Sequence, residues 1–346
     1  MTTWIPRSHN DYTVGWIYSV PMEMRAAQLV PHEIHPPLPQ SPTDQNTYVL
    51  GSIAGHSIAI AFPRIGRYDL RTSTEVARDL MSSFPSVQFI LFVGIGGGIP
   101  SSDRDIRLGD VVIAEPSEWL GGVIQYDLDE VSDDGRFVLQ TQPLRFLRTA
   151  VEELKATHKL DENRVIDFIS DIEYRRIASG AHESYLRPTE EDDCLYQADY
   201  NHVGPISDRC VGCDRSKIIS RPPRDFDDSK KPAVHFGPIA FLNDVLKDGK
   251  LRDKLAQDSG VCCVETGAAR HMSGFPCLFI RGISDYADSH KNRCWQGYAA
   301  AAATAYAKEL LLKISHDAII DVPTARETES SLGERILSFK SRSLSC

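Results

Sequence analysis

The sequence predicts an α/β fold: a single domain with a central mixed, largely parallel twisted sheet flanked by helices. Three observations lead there. β-Branched and aromatic runs alternate with helix-like stretches from Tyr12 to Ile314, the pattern of a sheet covered by its own crossover helices. One run, Val87 to Pro100, is continuously apolar and closes in Gly94, Gly96, Gly97 and Gly98, as a strand buried on both faces does when it opens into a tight loop. The chain has 346 residues, 42% of them hydrophobic and 25% charged, enough for one large core and too ordinary for a fibrous or disordered protein.

The elements follow in order. Residues 1–11 read as an N-terminal arm. YTVGWIYSV (Tyr12 to Val20) has the composition of a buried strand and stops at Pro21, with a helix expected from Met22. After the Pro-rich His35 to Gln45, TYVLGSIAGHSIAIAFP reads as a hairpin and Thr72 to Ser82 as a helix. The glycine-ended strand comes next, then a strand within Asp105 to Pro116 and a helix over Pro143 to Leu160 with apolar residues at helical spacing. Between about 184 and 232 the text turns acidic, Pro-containing and Arg-rich and reads as a long surface excursion of the same domain. Strand signals return in AVHFGPIAF, VCCVE and FPCLFIRGIS, and the domain closes at residue 314 with an Ala-rich helix from Trp295. Residues 315–346 lose periodicity and are expected to form a tail without fixed structure.

Lys and Arg number 38 against 48 Asp and Glu, a net charge of −10. That excludes the electropositive footprint of a nucleic-acid or membrane-surface binder. No apolar run reaches the ~20 residues of a membrane helix, and the first residues lack a signal-peptide core, so the chain reads as intracellular and cytoplasmic with its eight cysteines reduced.

In an α/β sheet the loops at the carboxyl ends of strands build the site. Two carboxylates stand at such places. Asp285 follows the apolar run Cys277 to Ile283; partial desolvation there would make it a proton donor, and a helix N-cap is the competing reading. Glu23 follows the first strand and Pro21, and suits either catalysis or the first turn of a helix. The glycine run has neither the GxGxxG spacing nor the GKS/GKT of phosphate-binding loops, so it signals close backbone approach. Cys210 and Cys213 form one CxxC with Cys194 and His202 nearby, too little for a zinc assignment without a second pair, and no metal is expected. No GxSxG elbow occurs.

Several stretches together, VGWIYSVPMEMRAA, EIHPPLPQ, QFILFVGIGGGIPSSDRDIRLGDVVIAEP, GGVIQYD, CVGCDRS and RGISDYADSHKNRCWQGYAAAAATAYAKELL, resemble the nucleoside phosphorylase and nucleosidase (PNP/UDP phosphorylase) superfamily. The resemblance is closest to its fungal branch, whose members are often fused to NACHT, ankyrin or tetratricopeptide modules. It implies Asp285 as the acid that protonates a purine leaving group and Glu23 as the group that activates water. It implies substrate contacts from Phe92, Gly94, Ile95 and Gly96, from Phe241, Leu242 and Asn243, and from Glu265, Thr266, Gly267 and Ser284. No cofactor is required, and a homo-oligomer is implied.

Three departures shape the expected activity. Phe92 and Ile95 stand where phosphorolytic members carry an Arg and a Ser, which favours hydrolysis because apolar side chains cannot compensate phosphate desolvation. Arg25, Arg64 and Arg67 are the alternative anion contacts. Gly267 replaces the glutamate that holds the ribose hydroxyls, a charged hydrogen bond worth roughly 1.5 to 3 kcal/mol. Phe241 and Leu242 replace small residues near the base, which would reshape that pocket. The sequence therefore reads as a hydrolytic purine nucleosidase, with two alternatives: a repurposed enzyme for an apolar non-nucleoside molecule, or a non-catalytic nucleoside-sensing module.

Overall fold

The computed structural model describes residues 7–63, 73–115, 122–126, 136–139, 144–160, 163–205, 209–224, 231–266, 275–291, 293–320, 322–328 and 330. Among these residues twelve strands form one mixed sheet. They are β1 (Val14–Ile17), β2 (Glu33–His35), β3 (Asn46–Ile53), β4 (His56–Pro63), β5 (Phe89–Gly98), β6 (Val111–Ala114), β7 (Val123–Tyr126), β8 (Arg136–Leu139), β9 (Val234–Gly237), β10 (Ile239–Leu242), β11 (Cys263–Thr266) and β12 (Cys277–Asp285). The helices are α1 (Pro21–Gln28), α2 (Ser73–Ser83), α3 (Arg145–Lys159), α4 (Val165–Ser179), α5 (Gly249–Ser259), α6 (Gln296–Lys313) and α7 (Asp317–Ile320).

β5 is the spine. Its first half runs parallel to β1, with Val14 opposite Phe89 and Ile17 opposite Phe92. On its other edge β12 runs parallel from Cys277 opposite Ile90 to Asp285 opposite Gly97, with an irregularity between Ile283 and Asp285. Only Gly97 and Gly98 pair with β11, antiparallel. Between the end of β1 and the start of β11, the edge of β5 over Gly94 to Gly96 has no strand partner on that side, and the start of α1 fills the gap.

The Ala-rich helix is central. α6 is buried on nearly every face, Ala299 to Ala303 included, and two of its charged residues, Lys308 and Glu309, are buried with partners: Lys308 Nζ lies 3.3 Å from Asp171, and Glu309 lies 2.9 Å from His158 Nε2. Small side chains let this helix approach the sheet closely, so its packing adds to its propensity.

Two sequence expectations change. The tail does not start at residue 315: α7 and the residues after it fold back, with Ile319 and Ala325 buried and Ala325 N donating to Val87 O at 2.7 Å. Gln88 Nε2 also donates to the carbonyls of Ile319 and Val322. The 184–232 excursion is not a purely surface feature either. Tyr185, Leu195 and Tyr196 are buried, and Arg224 clasps the buried Asp110 through both guanidinium nitrogens, 2.7 and 2.6 Å.

Candidate active site

Glu23 owes its place to the first turn of α1. Pro21 opens the helix, whose first-turn donors need outside acceptors. Glu23 Oε2 accepts from Ser19 N and Val20 N, both at 2.9 Å, so the helix-start reading holds. The same side chain reaches into the gap beside β5, where Oε1 accepts from Ile95 N at 2.8 Å. It replaces a missing strand partner. Gly94 is glycine for this reason: a Cβ there would lie 2.7 Å from Glu23 Oε1. Burial raises the Glu23 pKa, against the pull of the three main-chain donors and of Arg281.

Glu265, at the end of β11, is the second buried carboxylate. Burial pushes its pKa up to about 6, with the Arg281 charge opposing and the Glu23 charge adding to the rise. Arg281 on β12 is the cation between them. It donates from Nε and Nη2 to Glu265, and from Nη1 to the carbonyls of Phe92 at 2.7 Å and Ile280 at 3.0 Å. Four of its five N–H donors are thus committed. Sequence reading missed Arg281, whose only signal was a charged residue inside an otherwise apolar strand.

Asp285 ends β12 beside Gly97, where a Cβ would come within 2.9 Å of Asp285 Oδ1. It is not a helix cap, because the N-cap of α6 is Trp295, ten positions later. Instead Oδ1 accepts from Ala287 N at 2.9 Å, which holds Ala287 at φ 53°, a left-handed conformation uncommon for a residue with a Cβ. Lys291 Nζ lies 3.0 and 3.1 Å from the two carboxylate oxygens, and Ser284 Oγ donates to Oδ2 at 3.2 Å. Ser284 and Asp285 line a cavity of about 290 Å³ whose far wall is the excursion, with Glu191, Cys194, Tyr196 and Arg209. Glu23 is not part of that wall; it meets the same strand, β5, from the β1 side.

The remaining expected residues divide. Phe92 stacks on Phe279 at 4.7 Å, and Phe241 meets Phe279 edge-on at 5.3 Å. Leu242 packs in a separate cluster with Ile99, Ile124 and Val264. These three side chains belong to the core, because consecutive strand residues point to opposite faces and β10 is buried on both. The reshaped base pocket expected of Phe241 and Leu242 is thus not what they build. Asn243 accepts from Gln125 Nε2 at 3.3 Å, and Thr266 is exposed. Arg25 pairs with Glu183, which removes it as a ready anion contact. Gly267, Arg64 and Arg67 lie outside the described residues.

Sheet order and the two edges of β5 define the class: this is the nucleoside phosphorylase/nucleosidase fold. The chain is similar to the futalosine hydrolase of Helicobacter pylori, with TM-score 0.52 and 16% identity over 88% of this chain and 99% of that one. It is similar to the same organism's 5'-methylthioadenosine/S-adenosyl homocysteine nucleosidase, with TM-score 0.52 and 14% identity over 87% of this chain and 98% of that one. In sequence it is 41% identical over 313 residues to a nucleotide-binding leucine-rich repeat (NLR)-like protein of the fungus Hyaloscypha variabilis. The match takes in 89% of this chain and 30% of that relative's length. No family model matches the chain. Among the described residues no helix is long and apolar enough to cross a membrane.

Proposed function

We propose that the protein hydrolyses the N-glycosidic bond of a purine-type nucleoside or nucleotide. Asp285 gives a proton to the departing base, Glu23 accepts one from water, and that water's oxygen bonds to the anomeric carbon as the carbon–nitrogen bond breaks. Base and free sugar leave, with protons and electrons balanced. The observation that carries this reading is the approach of two differently held carboxylates to one glycine strand, Glu23 at Gly94 and Asp285 at Gly97. Burial raises the pKa of Glu23, which makes it a stronger base than an exposed glutamate. Similarity to two proteins named as a nucleosidase and a hydrolase supports the reaction class.

Hydrolysis is favoured over phosphorolysis by the state of the cations. Arg281 spends its donors on Glu265 and two carbonyls, and Arg25 is paired with Glu183. A phosphate dianion would have to displace one of these contacts. Burial of Phe241 and Leu242 in the core weakens the apolar-substrate alternative, which then rests on Gly267. The NLR-like relative favours one second reading, the same pocket serving as a nucleoside sensor inside a longer protein. The enzyme would work in the cytoplasm as a homo-oligomer; the exposed Tyr174 and Ile177 of α4, 72% and 62% accessible, offer an apolar contact for a second copy.

The test is release of free base from a panel of purine nucleosides and nucleotides, with and without phosphate, followed by chromatography. Base and free sugar formed at equal rates in both buffers are expected. Asp285→Asn should lower kcat by about 10² to 10⁴. No base from any substrate would leave the sensor reading, and sugar phosphate formed only with phosphate would overturn hydrolysis.

A further inference from the structure

We propose that His202, Cys210 and Cys213, completed by His290, form a structural zinc site that ties the excursion to the loop carrying Asp285. The ligand atoms of the first three residues lie within 4.8 Å of one another. They come together because the CxxC closes a turn, Cys213 N donating to Cys210 O at 3.0 Å, while Val203 N points at Cys213 Sγ from 3.5 Å. The backbone of His202 is fixed from the opposite side, its N–H donating to Ser289 Oγ at 2.9 Å. Neither thiol is in a disulfide.

His290 lies outside that close group, and an independent observation marks it as the fourth member. His290 has a side chain only 3% exposed, yet neither ring nitrogen has a hydrogen-bond partner. Two orphaned nitrogens on a buried imidazole are costly unless something fills one of them. The ring lies 5.6 Å from that of His202, centroid to centroid, at 64°; two imidazoles on one tetrahedral zinc have centroids about 5 Å apart. His290 and Cys210 line the same cavity. Nδ1 of His290 faces Asp288 Oδ1 at 3.4 Å, too poorly aligned for a hydrogen bond, and Asp288 is itself held by Arg252 at 3.2 Å.

The donor set decides the ion. Two sulfurs and two imidazole nitrogens select zinc over hard cations. On binding, each thiol gives its proton to solvent, so two thiolates and Zn2+ form a neutral buried unit. A Cys210–Cys213 disulfide would leave the buried His290 imidazole unexplained. The ion would join residues of the excursion to His290, on the loop that begins at Asp285, and so would hold the wall of the Asp285 cavity in place.

The test uses the full chain purified without a metal-affinity tag and desalted over a chelating resin. Elemental analysis should find about one zinc per chain. Mercurial titration should release it in step with about two thiols, and X-ray absorption should show a mixed sulfur and nitrogen shell. His202→Ala and Cys213→Ser should each cut zinc at least about fivefold, and His290→Ala should lower the nitrogen count. If these variants fail to fold, the wild-type titration and absorption spectrum decide. A chain that holds no zinc even after added Zn2+, gives no tetrahedral thiolate bands with Co2+, or binds metal through oxygen alone would overturn the proposal, whether its thiols are free or paired.

Discussion

Glu23 and Asp285 meet the same strand in unlike surroundings. Glu23 is buried and held by three main-chain N–H groups from its own helix start and from Ile95. Asp285 is held by a lysine side chain, a serine hydroxyl and one main-chain N–H on a loop whose outer wall is the excursion. The first arrangement is mostly local and rigid, two of its three donors lying within four residues of Glu23. The second draws its hydrogen bonds from within six residues of Asp285, and what comes from a distant segment is the cavity wall facing it. Both oxygens of Glu23 are taken up by main-chain donors, whereas Asp285 lines an open cavity.

The difference can be broken most forcefully at Arg281, which balances the Glu23 side. Arg281→Met leaves Glu265 and Glu23 as buried carboxylates without their cation and should cost about 3 to 5 kcal/mol, read as a lower urea midpoint; a loss under about 1 kcal/mol would show that the guanidinium is not what compensates them. Gly94→Ala adds a methyl 2.7 Å from an anchored carboxylate oxygen. Overpacking of about 1 to 3 kcal/mol is expected, with activity lost alongside stability, and an unchanged melting temperature would mean that Glu23 yields more easily than its hydrogen bonds imply.

Glu265 sharpens the comparison through pH. Its pKa rises from 4.5 to about 6 on folding, so below 4.5 both states are protonated and above 6 both are ionised, the folded state at a cost. Stability should therefore fall by about 2 kcal/mol as pH rises from 4.5 to 6. Glu265→Gln should flatten that part of a denaturation-versus-pH profile, and a wild-type profile without the decline would contradict the assignment. The smallest effect on stability belongs to the Asp285 side. Lys291 is 28% exposed, so Lys291→Met should change stability by less than about 1 kcal/mol. It should nonetheless lower kcat about ten- to a hundredfold by freeing the acid's orientation; a variant as active as wild type would show that Asp285 needs no positioning cation.

Much of this was legible in the residues. The apolar run ending in glycines became β5, the Pro21 boundary became the start of α1, and Tyr48 to Pro63 became the β3–β4 hairpin. What could not be read was partnership at long range. Arg281 meets the carbonyl of Phe92 across 189 residues of chain, and spacing says nothing about such a pair. Phe241 and Leu242 looked like pocket residues by alignment, but their exposure depends on what covers both faces of β10, and that is core. The stretch after residue 314 lacked periodicity, and the two side chains that anchor it, Ile319 and Ala325, are too few to make a pattern.

By itself the sequence determined the alternation of strands and helices, the glycine-lined strand and the two carboxylates at strand ends, because backbone preference and hydrophobic period act over a few neighbouring residues. Tertiary structure alone decided that Glu23 fills a gap where β1 leaves β5, that Arg281 compensates buried acids, and that the ring of His290 comes to lie beside that of His202. Burial and charge pairing depend on which distant segments meet, and that is settled only when the sheet has closed around its core.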